Sequence, residues 1–119
     1  MKTVVAGYRK RFLVKHLQKF FPIRTEQIAY FFSNGRISFL VTTDNKKYLV
    51  DYSMERLEKL LHPEHFFRVN RSFIIAFDSV KQAEDYYGNR LVIDIQPAFS
   101  EKVIVSRERV PSFKKWLGK

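Results

Sequence analysis

Between residues 27 and 52 the chain has almost no choice of fold. Residues 27–33 are rich in strand formers (Ile28, Tyr30, Phe31, Phe32), and residues 37–43 form a second such run, with Asn34-Gly35 between them. Asn-Gly between two strand-forming runs is the strongest short-range hairpin signal, and in the favoured turn both central residues take positive φ. Thr43-Asp44-Asn45-Lys46 supplies a second turn, after which residues 47–52 return as a third strand. Strands joined by loops this short pair antiparallel, so this stretch is a three-stranded meander.

The rest of the chain extends the pattern. Residues 9–14 read as a short basic strand and 19–23 as its hairpin partner, with Pro22 marking an edge or a strand end. Ser53 is a good N-cap for a helix whose apolar face is Met54, Leu57, Leu60 and Leu61, and Pro63 stops it. Residues 74–77 continue as strand. Residues 80–86 and 90–95 form a hairpin around Tyr87-Gly88-Asn89, in which Leu91, Ile93 and Ile95 face inward. A last strand covers 102–105. Residues 106–117 are mostly helical, with Phe113, Trp116 and Leu117 on one face and Gly118 as the C′ residue. The expected fold is mostly β: an elongated antiparallel β-sheet or hairpin fold with one short central helix and a C-terminal helix. It forms one domain over residues 8–119, preceded by a tail or linker remnant at 1–7. Phe73, Ile75, Leu57 and Trp116 are the expected core behind it.

Charge narrows the partners. The chain carries 22 Lys and Arg against 12 Asp and Glu, a formal charge of +10. Its first carboxylate is Glu26. Such a balance favours polyanions, nucleic acid first and an anionic membrane surface second. The absence of cysteine excludes disulfides and thiolate metal sites. No apolar run approaches the roughly 18 residues of a membrane span, and no secretory signal pattern opens the chain, so a cytoplasmic location is the default.

Catalytic chemistry finds little support. His62-Pro63-Glu64-His65 lacks the helical i, i+4 spacing of zinc-binding pairs, and Pro63 interrupts the backbone. It reads as a loop capping the helix, and no metal or other cofactor is expected. Glu84 and Asp85 are adjacent on a strand and point to opposite faces. There is no Gly-rich phosphate loop and no nucleophile-and-base pair, so the chain is not expected to be an enzyme. A metal-dependent enzyme on the three histidines is the rival from that class.

Three polar clusters beside turns or strand ends remain: Ser33-Asn34-Gly35-Arg36, Arg68-Val69-Asn70-Arg71-Ser72 and Ser106-Arg107-Glu108-Arg109. Each sets Arg beside a small hydrogen-bonding residue. Arg can bond guanine bidentately, Asn suits adenine, and Ser suits phosphate. The candidate DNA-binding set is Ser33, Asn34, Arg36, Arg68, Asn70, Arg71, Ser72, Ser106, Arg107 and Arg109. Arg71 and Arg107 each lie beside a Ser within their clusters. Lys10, Lys15 and Lys102 are isolated on strands and are expected only to neutralise phosphates. The alternative is a single-stranded nucleic-acid or RNA binder that stacks bases on exposed aromatics; burial of the aromatics discriminates the two.

The stretch Phe66-Phe67-Arg68-Val69-Asn70-Arg71-Ser72-Phe73-Ile74-Ile75 resembles the Phe-Phe-Arg-x-His-Arg-Ser-aromatic-apolar signature of the LytTR family of bacterial DNA-binding domains. Ile28-Ala29-Tyr30-Phe31, the strand-into-helix at 48–61 and Val105-Ser106-Arg107 support the resemblance, which runs from about Tyr8 to Leu117. It implies transcription regulation through loops inserted into successive major grooves of double-stranded DNA, often on direct repeats, with a possible dimer on DNA. It further implies a receiver domain or sensor-kinase system upstream, as in two-component response regulators, and no membrane partner. The loop roles fall on 33–36, on Asn70 and Arg71, and on Arg107, and the resemblance thereby implies Arg71 and Arg107 as the expected base readers. Asn70 departs from the family's usual His; Asn donates and accepts but cannot be protonated.

Overall fold

The structure is a computed structural model and describes residues 7–119. Residues 1–6 of the expected N-terminal tail lie outside the described residues. Ten strands and two helices follow in order: β1 (Arg11–His16), β2 (Lys19–Arg24), β3 (Ile28–Asn34), β4 (Ile37–Thr42), β5 (Lys47–Val50), α1 (Met54–Leu60), β6 (Phe66–Asn70), β7 (Phe73–Ala76), β8 (Val80–Tyr86), β9 (Arg90–Ile95), β10 (Val103–Val105) and α2 (Val110–Leu117). Every strand pairing is antiparallel. A five-stranded sheet in the order β5-β4-β3-β7-β6 lies at the centre, with a two-stranded β1-β2 ribbon and a three-stranded β10-β9-β8 sheet beside it.

While its edge strand β5 is exposed or half-buried, the middle of the central sheet is buried on both faces. On one, the ribbon and α1 bring Phe12, Val14, Ile23, Met54, Leu57 and Leu61 against Phe31, Leu40, Phe66 and Ile74. On the other, β9, β10 and α2 bring Leu91, Ile93, Val103, Val105 and Phe113 against Tyr30, Val41, Val69, Phe73 and Ile75. This explains why the start of β3 is continuously apolar: Ile28 to Phe31 have no wet face. In β9 the expected alternation holds, with Leu91, Ile93 and Ile95 buried and Asp94 exposed. Phe12 belongs to the same core as Phe31 and Leu57, so the ribbon is integral to the fold.

Helix α1 is too short to stand alone in water. Ser53 Oγ accepts from the Arg56 N–H at 3.1 Å, as its N-cap position requires, and Met54 and Leu57 are buried. The helix ends at Leu60, before Pro63, with the Leu61 N–H bonded to the Leu57 carbonyl. In the C-terminal segment a single 3-10 turn at Arg107–Arg109 precedes α2, which places Pro111 in the first helical turn, where its missing N–H costs nothing.

Three expectations need correction. Lys10 and Lys102 precede β1 and β10 and do not lie on strands; of the three lysines Lys15 alone does. Phe73, Ile75 and Leu57 are buried, but Trp116 is only half-buried, because its indole N–H reaches outward to the Glu64 carbonyl at 3.1 Å. The β3-β4 turn is not centred on Asn34-Gly35. Asn34 pairs with Ile37, leaving Gly35-Arg36 as the two-residue loop, and of these Gly35 takes positive φ (64°). A loop with glycine first is the other common hairpin solution, and this register carries Arg36 to the tip.

Candidate nucleic-acid interface

Strand pairing brings the three polar clusters to one edge. β3 and β7 are neighbours in the central sheet, so the β3-β4 turn lies beside the β6-β7 turn. The Ser33 N–H donates to the Ser72 carbonyl at 3.0 Å and ties the two together. On the far side of β6, the Ser106 N–H donates to the Val69 carbonyl at 3.0 Å, placing the segment after β10 next in line. A shallow groove between the first two turns and the start of α1 is lined by Asn34, Arg36, Glu55, Arg71 and Ser72.

Within this edge the candidate side chains divide by what they touch. Asn34, Arg36, Arg71 and Arg107 are exposed. Arg68 is buried and bonded throughout: Nε donates to the Asn70 carbonyl at 3.2 Å, Nη2 to the Arg71 carbonyl at 2.6 Å and to Glu55 Oε2 at 3.2 Å, and Nη1 to Glu58 Oε1 at 3.2 Å. Four of the five guanidinium N–H groups are thus committed inside the protein. Asn70 Oδ1 accepts from the Ser72 N–H and hydroxyl at 2.8 and 3.1 Å, and Nδ2 donates to the Ile104 carbonyl at 2.8 Å. Side-chain amides brace turns in this way. Arg109 Nη1 donates to the Arg68 carbonyl at 3.1 Å and lies 3.9 Å from Glu58. The Ser106 hydroxyl points back to the Val69 carbonyl at 3.4 Å.

A β-bulge sends Arg68 and Asn70 in different directions. The β6-β7 register shifts between Arg68 and Asn70. In a regular strand both would point the same way; here Arg68 turns to α1 and Asn70 to β10. Bulges commonly re-aim side chains beside functional sites. Glu55 and Glu58, three residues apart on one face of α1, took no part in the sequence-based site. Their i, i+3 spacing opposite a strand carrying Arg68 is the signal that could have found them.

Three carboxylates are held below their ordinary range. Glu55 is depressed chiefly by its own backbone N–H in the first turn of α1 and then by Arg68. Glu108 is depressed chiefly by its own N–H, and Asp44 by the Thr42 hydroxyl. A depressed carboxyl contributes stability above its unfolded pKa and loses it as pH falls through the folded one. The urea midpoint is therefore expected to stay level from neutral pH to about 5.5 and to drop below about 4.5. Glu55→Gln should flatten that acid limb; an identical limb would show that Glu55 takes no part.

His62, Glu64 and His65 bring potential ligand atoms within 4.8 Å of one another. His62 Nδ1, however, accepts the Glu64 backbone N–H at 3.1 Å, so the neutral ring carries its proton on Nε2 and presents no second lone pair. The His65 and Phe66 N–H groups both donate to the His62 carbonyl. This bonding fits a capping loop.

The aromatics do not form a stacking platform. Phe12, Phe31, Phe66, Phe73 and Phe113 are buried. The exposed rings of Tyr8, Phe20, Phe77 and Tyr87 are scattered over four separate segments, none of them the turns at 33–36 and 70–72, and beside those turns Phe32 and Phe99 are half-buried. Among the described residues no helix is long and apolar enough to cross a membrane.

The antiparallel scaffold thus sets exposed Arg and Asn side chains on adjacent turns. The chain belongs to the LytTr DNA-binding domain family, whose model matches residues 18–118. Among solved structures it is similar to the LytTr DNA-binding domain of a methyl-accepting/DNA response regulator from Bacillus cereus, with a TM-score of 0.81 at 21% identity over 93% of this chain and 99% of that one. That likeness establishes the fold. Among curated proteins it is 28% identical over 87 residues to the transcriptional regulatory protein YpdB of Escherichia coli K12 and of Shigella flexneri. The match covers 73% of this chain and 35% of each relative, so the chain spans about a third of their length.

Proposed function

We propose that residues 8–119 bind double-stranded DNA sequence-specifically and regulate transcription, as the output part of a two-component response regulator, without catalytic activity. Cytoplasmic DNA is the partner. The turns at Gly35-Arg36 and Arg71-Ser72 and the segment at Arg107 enter successive major grooves, with Asn34, Arg36, Arg71 and Arg107 facing the bases and phosphates. Arg68, Asn70, Ser106 and Arg109 act from behind by fixing the shape of these elements. Ser33 and Ser72 join the two turns. The observation that carries this reading is the alignment of three separate clusters along one sheet edge, with uncommitted side chains outward and the braced ones inward. Tandem occupancy of directly repeated sites, by a dimer on DNA, is part of the same proposal.

Arg71→Lys is the sharpest test, since it keeps the charge and removes the planar fork. Against a duplex selected from a random pool, Arg71→Ala is expected to lose about 1–3 kcal/mol and to flatten preference at one base position, and Arg71→Lys to lose that discrimination while keeping the charge. Binding of each variant to each single-base change of that duplex measures this. Full discrimination at every position would make Arg71 a phosphate contact and sink its assignment as a base reader.

A further inference from the structure

The buried Arg68 network reaches all the reading elements except the β3-β4 turn, and it starts from α1. Resting on the assignment of Arg71 and Arg107 as base readers, we propose that Glu58, supported by Glu55, is a specificity-determining positioning residue that sets the spacing between them. The geometry is direct. Glu58 Oε1 accepts from Arg68 Nη1 at 3.2 Å, and its other oxygen lies 3.9 Å from Arg109 Nη1. Arg68 in turn donates to the carbonyls of Asn70 and Arg71, which fixes the backbone at and before the tip of the β6-β7 turn. Arg109 donates to the Arg68 carbonyl two residues after Arg107. One carboxylate therefore touches both arms of the clamp.

The chemistry explains why α1 must supply acid. The Arg68 side chain is only 7% exposed, and a guanidinium this far from water needs charge partners. Two backbone carbonyls offer dipoles but no compensating charge. Glu55 and Glu58 supply it from one face of a helix whose own place is set by Met54 and Leu57 in the core. With Glu58 replaced by Gln, Arg68 keeps Glu55 and an amide-oxygen acceptor for Nη1 but loses one of its two compensating charges, and Arg109 loses its nearby carboxylate. Sites that must hold side chains within a fraction of an ångström depend on such supporting contacts. The two arms would then sample spacings that no longer match the groove.

The test is Glu58→Gln, with Glu64→Gln as a control of equal charge change at the opposite end of β6. Both are measured on the selected duplex, its single-base variants and an unrelated duplex across a salt series, with urea midpoints recorded alongside. For Glu58→Gln, discrimination at the positions governed by Arg71 and by Arg107 is expected to fall together, by about 5–10-fold, a fraction of what a direct contact contributes. Affinity for the unrelated duplex and the salt slope should match the Glu64→Gln control, and Arg68→Lys should reproduce the loss. If Glu58→Gln keeps discrimination at both positions while Arg71→Lys loses it, the positioning role is wrong and the base-reading assignment stands. If only one position changes, Glu58 is not a shared clamp. If Arg71→Lys itself keeps full discrimination, the underlying assignment fails instead. A loss confined to the urea midpoint would reduce the network to a stabilising one and overturn the inference.

Discussion

Phe73→Ala is expected to destabilise the fold by about 3–5 kcal/mol, the cost of deleting a fully buried aromatic whose cavity cannot collapse. Phe73 is 3% exposed, stacks on Tyr30 with ring centroids 5.0 Å apart, and meets Phe99 edge-on at 5.2 Å. It also opens β7, directly after the Arg71-Ser72 turn, so the loss falls on the strand that anchors that turn. Domains of this size are stable by only about 5–15 kcal/mol, so such a loss removes a large share of the total. The shift in urea midpoint at constant m-value measures it. A loss under about 1 kcal/mol would mean that the ring is not part of the core.

The second large effect is on affinity. With a charge of +10, binding to duplex DNA should depend steeply on salt. If about six phosphates are neutralised, log affinity falls against log salt with a slope near −5, or about a thousandfold between roughly 50 and 200 mM. Lys15→Ala, on the exposed side of the β1-β2 ribbon, should weaken all duplexes alike and reduce the slope by about 1. The same experiment on Lys10 and Lys102 assigns their share. A slope shallower than about −2 would rule out an extended electrostatic footprint.

Much of the architecture was legible because its signals are local. Turn residues and period-two apolar runs marked the hairpins, and Ser53 with Pro63 bracketed α1. The order of the central sheet was not legible. β3 lies between β4 and β7, and that second neighbour is set by which buried faces fit together across some forty residues of chain. Arg68 and Arg71 look equivalent in sequence, three residues apart among the same neighbours. Position relative to the strand end separates them: Arg68 lies within β6 and is buried against α1, whereas Arg71 lies past the end of β6, at the tip of the turn to β7. Alternation gave a partial clue, since Arg68 shares the face of Phe66, which points into the α1 side of the core. The turn at Gly35-Arg36 was misplaced by one residue for a related reason. Asn-Gly favours one turn type, but pairing of Asn34 with Ile37 selects the other.

The β3-β4 and β6-β7 turns are rooted in strands buried on both faces, and in the second the backbone is held by Arg68 and Asn70 before any ligand arrives. Little chain remains to be ordered when the duplex docks. Association should therefore lack the thermodynamic signature of coupled folding: a heat-capacity change matched to groove and side-chain dehydration alone, and no large unfavourable conformational entropy from loop ordering. The energy that a flexible arm would spend on becoming ordered is here committed during folding. Recognition then becomes a rigid fit that rejects a mismatched groove geometry instead of remodelling itself to accept it.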